Sequence, residues 1–177
     1  MNQVGIFCSS RENSVVLYRN IALQVLRILF EYGVLNVNYG GGDKGLMGIV
    51  YHESLRLGIN IRGHNLERWS QPYLENEIVY ATLAERQQGL VESSNVYVVL
   101  PGGIGTVYEM TQVLCNNDVD KKNKAVILYN VNHFYDGILD WMKKSADDGM
   151  TNLIQIQLYV VTNENDLRNA VQMILKK

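Results

Sequence analysis

Residues 96–109 read VYVVLPGGIGTVYE, an apolar run that passes through a glycine-rich turn into a segment of helical character. Pro101 ends the apolar run because its ring removes a backbone donor, and the glycines let the chain turn N–H groups toward a ligand. The N-terminus of the following helix adds partial positive charge at the same place. This stretch therefore predicts a strand, turn and helix with an anion site made of backbone amides, beside which Glu109 projects.

Thr106 and Glu109 also have the T-x-x-E spacing of a helix capping box. In such a box the hydroxyl and the carboxylate bind backbone amides of the first turn, and no chemistry is needed to explain the glutamate. We expect Thr106 to cap this helix. The motif alone supports a structural role and a chemical role for Glu109 equally.

Thr82 and Glu85 repeat this spacing before another helical segment, and Arg86 follows them directly. A cation in the first turn of a helix is disfavoured by the helix dipole. A bound anion near Arg86 would explain its position, while a surface ion pair with Glu85 or Glu92 is the alternative. The segment by itself does not separate these two hypotheses.

A second glycine-rich loop follows the apolar residues 34–38 and reads YGGGDKGLMG from Tyr39 to Gly48. In an open α/β sheet, loops of this kind lie at the carboxyl ends of the strands, where ligands bind in a crevice. The two glycine-rich loops therefore predict one cleft of nucleotide size.

Two common nucleotide motifs fit this second loop poorly. Gly40, Gly42 and Gly45 match the dinucleotide fingerprint G-x-G-x-x-G, but the loop follows the second strand and does not open the fold. The next predicted strand, near Ile59 to Gly63, is followed by His64 and Asn65, where an acidic residue would be needed to bind the ribose. No Gly-Lys-Ser or Gly-Lys-Thr triplet occurs in either loop, which argues against a Walker phosphate loop.

Strand-like and helix-like patterns alternate along the chain. This alternation predicts an α/β fold that is Rossmann-like and doubly wound, with a mostly parallel sheet flanked by helices. With 177 residues and 47% hydrophobic content, we expect a single domain over residues 1–177. Helices are expected near residues 15–32 and 166–177. The predicted strands are Val4 to Phe7, Val34 to Asn38, Ile59 to Ile61, Ile78 to Ala81, Val96 to Leu100, Ala125 to Tyr129 and Leu158 to Val161.

Composition limits the partners. A formal net charge of −2 gives no basic field for a nucleic acid polymer. The three histidines lack metal-ligand spacing, so we expect no metal site. Cys8 ends an apolar run with no histidine nearby, which favours a small core residue over a nucleophile. No run reaches membrane-spanning length and no signal peptide is recognisable, so we expect a cytoplasmic protein without a membrane partner.

Three motifs in this order resemble the LOG family, the cytokinin riboside 5′-monophosphate phosphoribohydrolases once labelled lysine decarboxylases. P-G-G-x-G-T-x-x-E is complete from Pro101 to Glu109, G-G-G-x-x-G-L-M-G is complete from Gly40 to Gly48, and Phe7 to Ser10 resembles the first loop of the family. The resemblance covers nearly the whole chain. It implies Arg86 and Glu109 as the catalytic pair. It also implies phosphate and ribose contacts from three loops: Ser10, Gly41, Gly42, Met47, Gly102, Gly103, Ile104, Gly105 and Thr106.

The reaction implied by the resemblance is hydrolysis of a nucleoside 5′-monophosphate, such as AMP or a cytokinin nucleotide, to a free base and ribose 5-phosphate. Glu109 would stabilise the positive charge that develops on the sugar and accept a proton from water. Arg86 stays protonated and would orient Glu109 or the phosphate. The resemblance implies no cofactor, and it implies a homodimer. Four apolar or aromatic residues near Glu109 could serve either the dimer interface or the core of the subunit: Tyr108, Met110, Val113 and Leu114.

The chain departs from the family pattern around this site. The M-H-E-R-K of the family stands here as Leu83 to Gln87, and its T-W-x-Q stands as Cys115 to Asp118. Two alternatives to the family activity stay open for this reason. One is a nucleotide sensor or carrier without catalysis, and the other is an N-glycosidase for a deoxynucleotide or a pyrimidine nucleotide.

Overall fold

The computed structural model describes residues 3–12 and 15–175, in which seven strands form one sheet. The strands are β1 Gln3–Phe7, β2 Asn36–Tyr39, β3 Asn60–Leu66, β4 Glu77–Tyr80, β5 Val96–Val99, β6 Ala125–Tyr129 and β7 Leu158–Val161. Their order in the sheet is β4-β3-β2-β1-β5-β6-β7, and every pairing is parallel. The predicted α/β, doubly wound fold is confirmed.

The strand β3 is longer than the sequence predicted. Its first half, Asn60 to Gly63, pairs with β2, and its second half, Gly63 to Leu66, pairs with β4. His64 and Asn65 therefore lie inside the strand, and the prediction that they follow its end is wrong. Their polar side chains interrupt the apolar pattern because they enter buried hydrogen bonds.

Six helices connect and flank the strands within the described residues. They are α1 Val16–Glu31, α2 Gly45–Leu57, α3 Leu83–Glu92, α4 Ile104–Asp120, α5 Asp136–Asp147 and α6 Glu164–Leu175. Residues 176 and 177 of the predicted closing helix lie outside the described part of the chain. None of the described helices is long and apolar enough to cross a bilayer.

The core lies on both faces of the sheet, as the alternation of side chains along β1 shows. Val4 and Ile6 pack in the cluster that contains α1, α2 and α6, whereas Phe7 packs in the cluster that contains α3, α4 and α5. Four residues of α4 could serve either a dimer interface or the core. Met110, Val113 and Leu114 belong to the second cluster of the core, and Tyr108 is exposed.

The order of the strands reverses at β1, because β2 lies on one side of it and β5 on the other. Crevices at such a switch point, outside the carboxyl ends of the strands, are where ligands bind in open α/β sheets. The loops that follow β1, β2, β3 and β5 meet at this place.

Candidate active site

A cleft of about 740 Å³ opens at the carboxyl edge of the sheet. Most of the residues singled out from the sequence line it: Ser10, Gly41, Gly42, Met47, Arg86, Gly103, Ile104, Gly105, Thr106 and Glu109. Gly102 does not. A Cβ at Gly102 would lie 2.1 Å from Oγ1 of Thr106, so this glycine lets the turn close on α4.

Arg86 and Glu109 form a buried ion pair in the cleft. Nη1 of Arg86 lies 2.9 Å from Oε1 of Glu109, and the two residues are 6% and 4% exposed. The surface arginine considered from the sequence is therefore wrong. Thr82 and Glu85 do form the predicted capping box at the start of α3, which leaves Glu85 occupied by the backbone.

The guanidinium of Arg86 holds three separate elements together. Nε donates to the backbone oxygen of His64 at 3.0 Å, and Nη2 donates to the backbone oxygen of Gly40 at 3.2 Å. Nη1 also lies 3.4 Å from Oε1 of Gln87. These bonds and the contact with Glu109 fix the position of the carboxylate against β3, the loop that follows β2 and the start of α3.

Burial acts on the pKa of the glutamate in this pair. Burial raises the pKa of Glu109 above its ordinary value, and the neighbouring Arg86 opposes that shift through its charge and its hydrogen bond. Gln87 stands where the family pattern has lysine, so no second cation lies next to Arg86 at this position. A raised pKa suits a carboxylate that must take up a proton near neutral pH.

The helix α4 opens onto the cleft with its N-terminus. Its N-cap is Gly103, whose carbonyl accepts the first helical hydrogen bond from Val107, and no side chain of the described residues caps it. Thr106 is buried within the first turn, so the prediction that it caps α4 is wrong. Because Gly103 has no side chain, the first amides of the helix stay available to an anion in the cleft.

The second glycine-rich loop has a different role from the first. The backbone oxygen of Ser9 accepts hydrogen bonds from the amides of Leu46 and Met47, at 2.9 and 3.1 Å. The N-terminal amides of α2 are thus occupied by the chain itself. Gly45 has φ +58°, and a Cβ there would lie 2.3 Å from the backbone oxygen of Arg11, so this loop holds the loop after β1 against α2.

The side chain of Asn65 approaches the backbone at position 41 so closely that glycine is required there. Gly41 has φ +79°, and a Cβ at this position would lie 2.3 Å from Nδ2 of Asn65. The same nitrogen donates to the backbone oxygen of Gly41 at 3.1 Å and also to the carboxylate of Glu77. The side chain of Met47 covers the neighbouring glycines, since a Cβ at Gly40 would lie 2.6 Å from its Cε.

His64 belongs to a buried polar network that the sequence did not reveal. Nδ2 of Asn38 donates to Ser94, so Oδ1 of Asn38 faces Nε2 of His64 as an acceptor, at 3.2 Å. Nε2 must then carry the proton, and Nδ1 accepts from the hydroxyl of Tyr80 at 2.9 Å. Burial, with smaller contributions from Arg86 and Arg62, lowers the pKa of His64 to about 4.

Several further residues line the cleft although the sequence did not indicate them as site residues: Arg11, Lys44, Asn65, Trp69 and Gln71. Only their place after a strand could have indicated them, and the end of β3 was predicted too early. Cys8 is buried in the core, as expected, and burial raises the pKa of its thiol. Among residues 3–12 and 15–175, no cluster of three histidine, cysteine or acidic side chains could hold a metal ion.

Comparison with known proteins identifies relatives over most of the chain. The family model described as "Possible lysine decarboxylase" matches residues 45–172. The cytokinin riboside 5′-monophosphate phosphoribohydrolase LOG2 of Arabidopsis thaliana is 29% identical, over 85% of this chain and 72% of the relative. A probable cytokinin riboside 5′-monophosphate phosphoribohydrolase of Oryza sativa subsp. japonica, LOG4, is 28% identical over 98% of this chain and 75% of the relative.

Solved structures share the fold at lower identity. The molybdenum cofactor carrier protein of Chlamydomonas reinhardtii superposes with a TM-score of 0.71 at 19% identity, over 99% of both chains. A structural genomics target solved by X-ray diffraction superposes with a TM-score of 0.76 at 22% identity, over 98% of this chain and 100% of that one. At these identities the similarity establishes the fold alone.

Proposed function

Because this chain belongs to the LOG family, we propose that it hydrolyses the N-glycosidic bond of a nucleoside 5′-monophosphate and releases a free base and ribose 5-phosphate. The observation that carries the proposal is the buried Arg86–Glu109 pair, which lies in one cleft with the uncapped N-terminus of α4. An anion site and a carboxylate in one cleft fit a phosphorylated sugar.

The phosphate would bind at the N-terminus of α4. The backbone from Gly103 to Thr106 lines the cleft there, and the helix dipole favours a doubly charged group. Ser10 and Arg11 of the loop after β1 also line this cleft and supply a hydroxyl and a positive charge. Binding energy from the phosphate would orient the sugar, so a nucleoside without phosphate should react far more slowly.

Glu109 would act on the anomeric carbon. In the proposed step a water oxygen bonds to this carbon, the bond to the base nitrogen breaks, and the base leaves with the electron pair. Positive charge develops on the sugar meanwhile, and a carboxylate next to it stabilises that charge and accepts the proton of the water. Arg86 is a positioning residue, because its hydrogen bonds hold Glu109 to the backbone of β3 and of Gly40, directly after β2.

Decarboxylation of lysine, the activity in the description of the family model, fits the cleft poorly. That chemistry requires an electron-sink cofactor joined to a lysine in a desolvated pocket. Lys44 is the lysine that lines the described cleft; its side chain is 67% exposed and lies 3.8 Å from Glu12. The resident groups do not suit a Schiff base, and we derive no step through one.

We further propose that the protein acts as a cytoplasmic homodimer. One face of α4 carries exposed residues at helical spacing, namely Ile104, Tyr108, Cys115 and Val119. An exposed apolar stripe on one helix is typical of an interface that repeats on both subunits of a two-fold dimer. Because Ile104 also lines the cleft, a second copy on this face would border the site.

The direct test is product analysis with the purified protein. The panel contains AMP, CMP, GMP, UMP, their deoxy forms and N6-isopentenyl-AMP, with adenosine as the control that lacks phosphate. Free base with ribose 5-phosphate from the monophosphates, and little from adenosine, would support the proposal. Release from deoxy or pyrimidine members alone would assign a different N-glycosidase. Binding of nucleotide without release of any base would assign a carrier.

A further inference from the structure

We propose that Trp69 and Gln71 form the base-recognition wall of this cleft: the indole of Trp69 stacks on the base, and Oε1 of Gln71 accepts a hydrogen bond from an exocyclic amino group. The inference rests on the proposed function, since it names the part of the substrate that the same cleft would bind on its far side. It selects bases with an amino group, such as adenine.

The position of Trp69 matches this role. It ends a short 3-10 helix, Glu67–Trp69, directly after β3, and it lines the cleft while 42% exposed. The proposed phosphate site follows β5. In the sheet order β3-β2-β1-β5, the end of β3, where Trp69 lies, and the end of β5 are three strand spacings apart, about 14 Å. Arg86 binds the oxygen of Gly40 at the end of β2, between these ends. The phosphate, the reacting sugar and the base would thus follow one another along the cleft.

Hydrogen bonds hold the chain on both sides of Trp69 and Gln71. The hydroxyl of Ser70 and the amide of Asn65 both donate to the carboxylate of Glu77, the first residue of β4. On the other side, the hydroxyl of Tyr51 donates to the backbone oxygen of Tyr73 at 2.9 Å. These bonds order the segment that carries Trp69 and Gln71, so less of its backbone has to be ordered when a ligand binds.

One face of the indole already has a partner. The guanidinium carbon of Arg68 lies 5.0 Å from the centroid of the Trp69 ring, at cation–π distance. A base would take the other face, in the arrangement by which aromatic side chains bind single nucleotides. Stacking on an aromatic side chain distinguishes bases weakly, because every base presents a flat face.

Gln71 supplies the discrimination that stacking lacks. Its Nε2 donates to the backbone oxygen of Trp69 at 3.1 Å. Since a carbonyl oxygen only accepts hydrogen bonds, the orientation of the amide is fixed, and Oε1 is the group directed elsewhere. An acceptor at this wall complements the amino group of adenine and opposes the oxygen that replaces it in hypoxanthine. AMP should therefore bind better than IMP.

The chain has two tryptophans, Trp69 and the exposed Trp141, so fluorescence reports on Trp69 alone once Trp141 is replaced. The reporter is W141F combined with E109Q, in which we expect most of the turnover to be lost, and the matched control is W69F with E109Q. We expect AMP to quench the reporter and to leave the control unchanged. Ribose 5-phosphate, which lacks the base, should raise the melting temperature of the reporter without quenching it.

Each other outcome overturns a different statement. Equal quenching by ribose 5-phosphate and AMP, or binding of AMP without quenching, would overturn the role of Trp69 and leave the nucleotide site intact. If neither compound binds at any concentration tested, the nucleotide site and its base wall are both wrong.

Kinetics test the same wall independently. W69A should raise KM for AMP by about tenfold or more, with a smaller change in kcat, and W69F should restore most of the loss. Inhibition by ribose 5-phosphate should be unchanged in W69A. Q71A should reduce the preference for AMP over IMP. An equal loss of ribose 5-phosphate binding in W69A, or an unchanged preference in Q71A, would contradict the proposal.

Discussion

Arg86 at the start of α3 and Glu109 in α4 meet at 2.9 Å, although the strands that precede these helices, β4 and β5, are separated by three other strands in the sheet. The pair is almost fully buried. A buried ion pair is weak evidence for stability, because desolvation of two charges offsets much of their attraction. Its position in a cleft therefore points to a functional reason for the pair.

Substitution Glu109→Gln should abolish most of the turnover and keep nucleotide binding. The amide preserves the shape of the side chain but neither accepts a proton nor carries charge, and we expect a loss of roughly 10²- to 10⁴-fold in kcat. Steady-state kinetics and a thermal-shift titration measure the two effects. Glu92→Gln, an exposed glutamate of α3, is the matched control and should keep full activity. An unchanged rate in Glu109→Gln would remove Glu109 from the mechanism.

Substitution Arg86→Ala should destabilise the protein strongly, because it leaves Glu109 buried without its cation. Loss of one partner of a buried pair typically costs about 3–5 kcal/mol. We expect Arg86→Ala combined with Glu109→Gln to regain part of this loss in urea unfolding. Simple addition of the two losses would show that the residues are not coupled. Lys143→Ala, which breaks an exposed pair with Asp147, should change stability little.

The pH dependence of kcat/KM should report the raised pKa of Glu109. If the carboxylate form is required, activity falls as the pH decreases through that pKa, which lies above the ordinary value for glutamate. A pH series with AMP between pH 4 and 8 measures this acid limb. The residual activity of Glu109→Gln should lack it. The same acid limb in that variant would assign the titration to another group.

Stability should fall with acidification because of His64. The unfolded chain binds a proton near pH 6.5, whereas the buried imidazole binds one only near pH 4. Between these values the unfolded state holds more protons, so stability decreases as the pH falls, by about 3 kcal/mol in total. Urea unfolding of the wild type and His64→Gln at pH 4.5, 5.5 and 7 should show a shallower slope for the variant. His52→Gln, an exposed histidine, should retain the wild-type slope.

Gly41 and Gly33 give a matched pair for the glycine-rich loop. Both have positive φ, +79° and +80°, but a Cβ at Gly41 would overlap Asn65, whereas one at Gly33 would meet nothing within 4 Å. Gly33→Ala should cost about 1–2 kcal/mol through backbone strain alone. Gly41→Ala should cost more in urea unfolding and should also weaken AMP binding. Equal effects of the two substitutions on AMP binding would show that the loop tolerates the displacement of Asn65 by the added methyl group.

The sequence by itself determined the order of the elements and the family. Both strands read as short apolar runs, so β6, which is buried along its whole length, and the edge strand β7 were predicted with the bounds that the structure shows. The motif from Pro101 to Glu109 indicated the turn and a helix after it, because these depend on local backbone conformation, but the helix begins at Ile104, before the predicted cap Thr106. Arg86 and Glu109 were selected by motif, and their catalytic roles stay predictions.

Only the tertiary structure decided which of these residues touch one another. Arg86 is buried and binds the backbone of β3 and of Gly40 after β2, and the first amides of α2 bind the backbone oxygen of Ser9. These contacts join segments that are distant in sequence. The extent of β3 depends on its second neighbour, β4, and Trp69 lies in the cleft because β3 ends where it does. Local patterns record the conformation of a segment, whereas hydrogen bonds between distant segments depend on how the whole sheet brings its loops together.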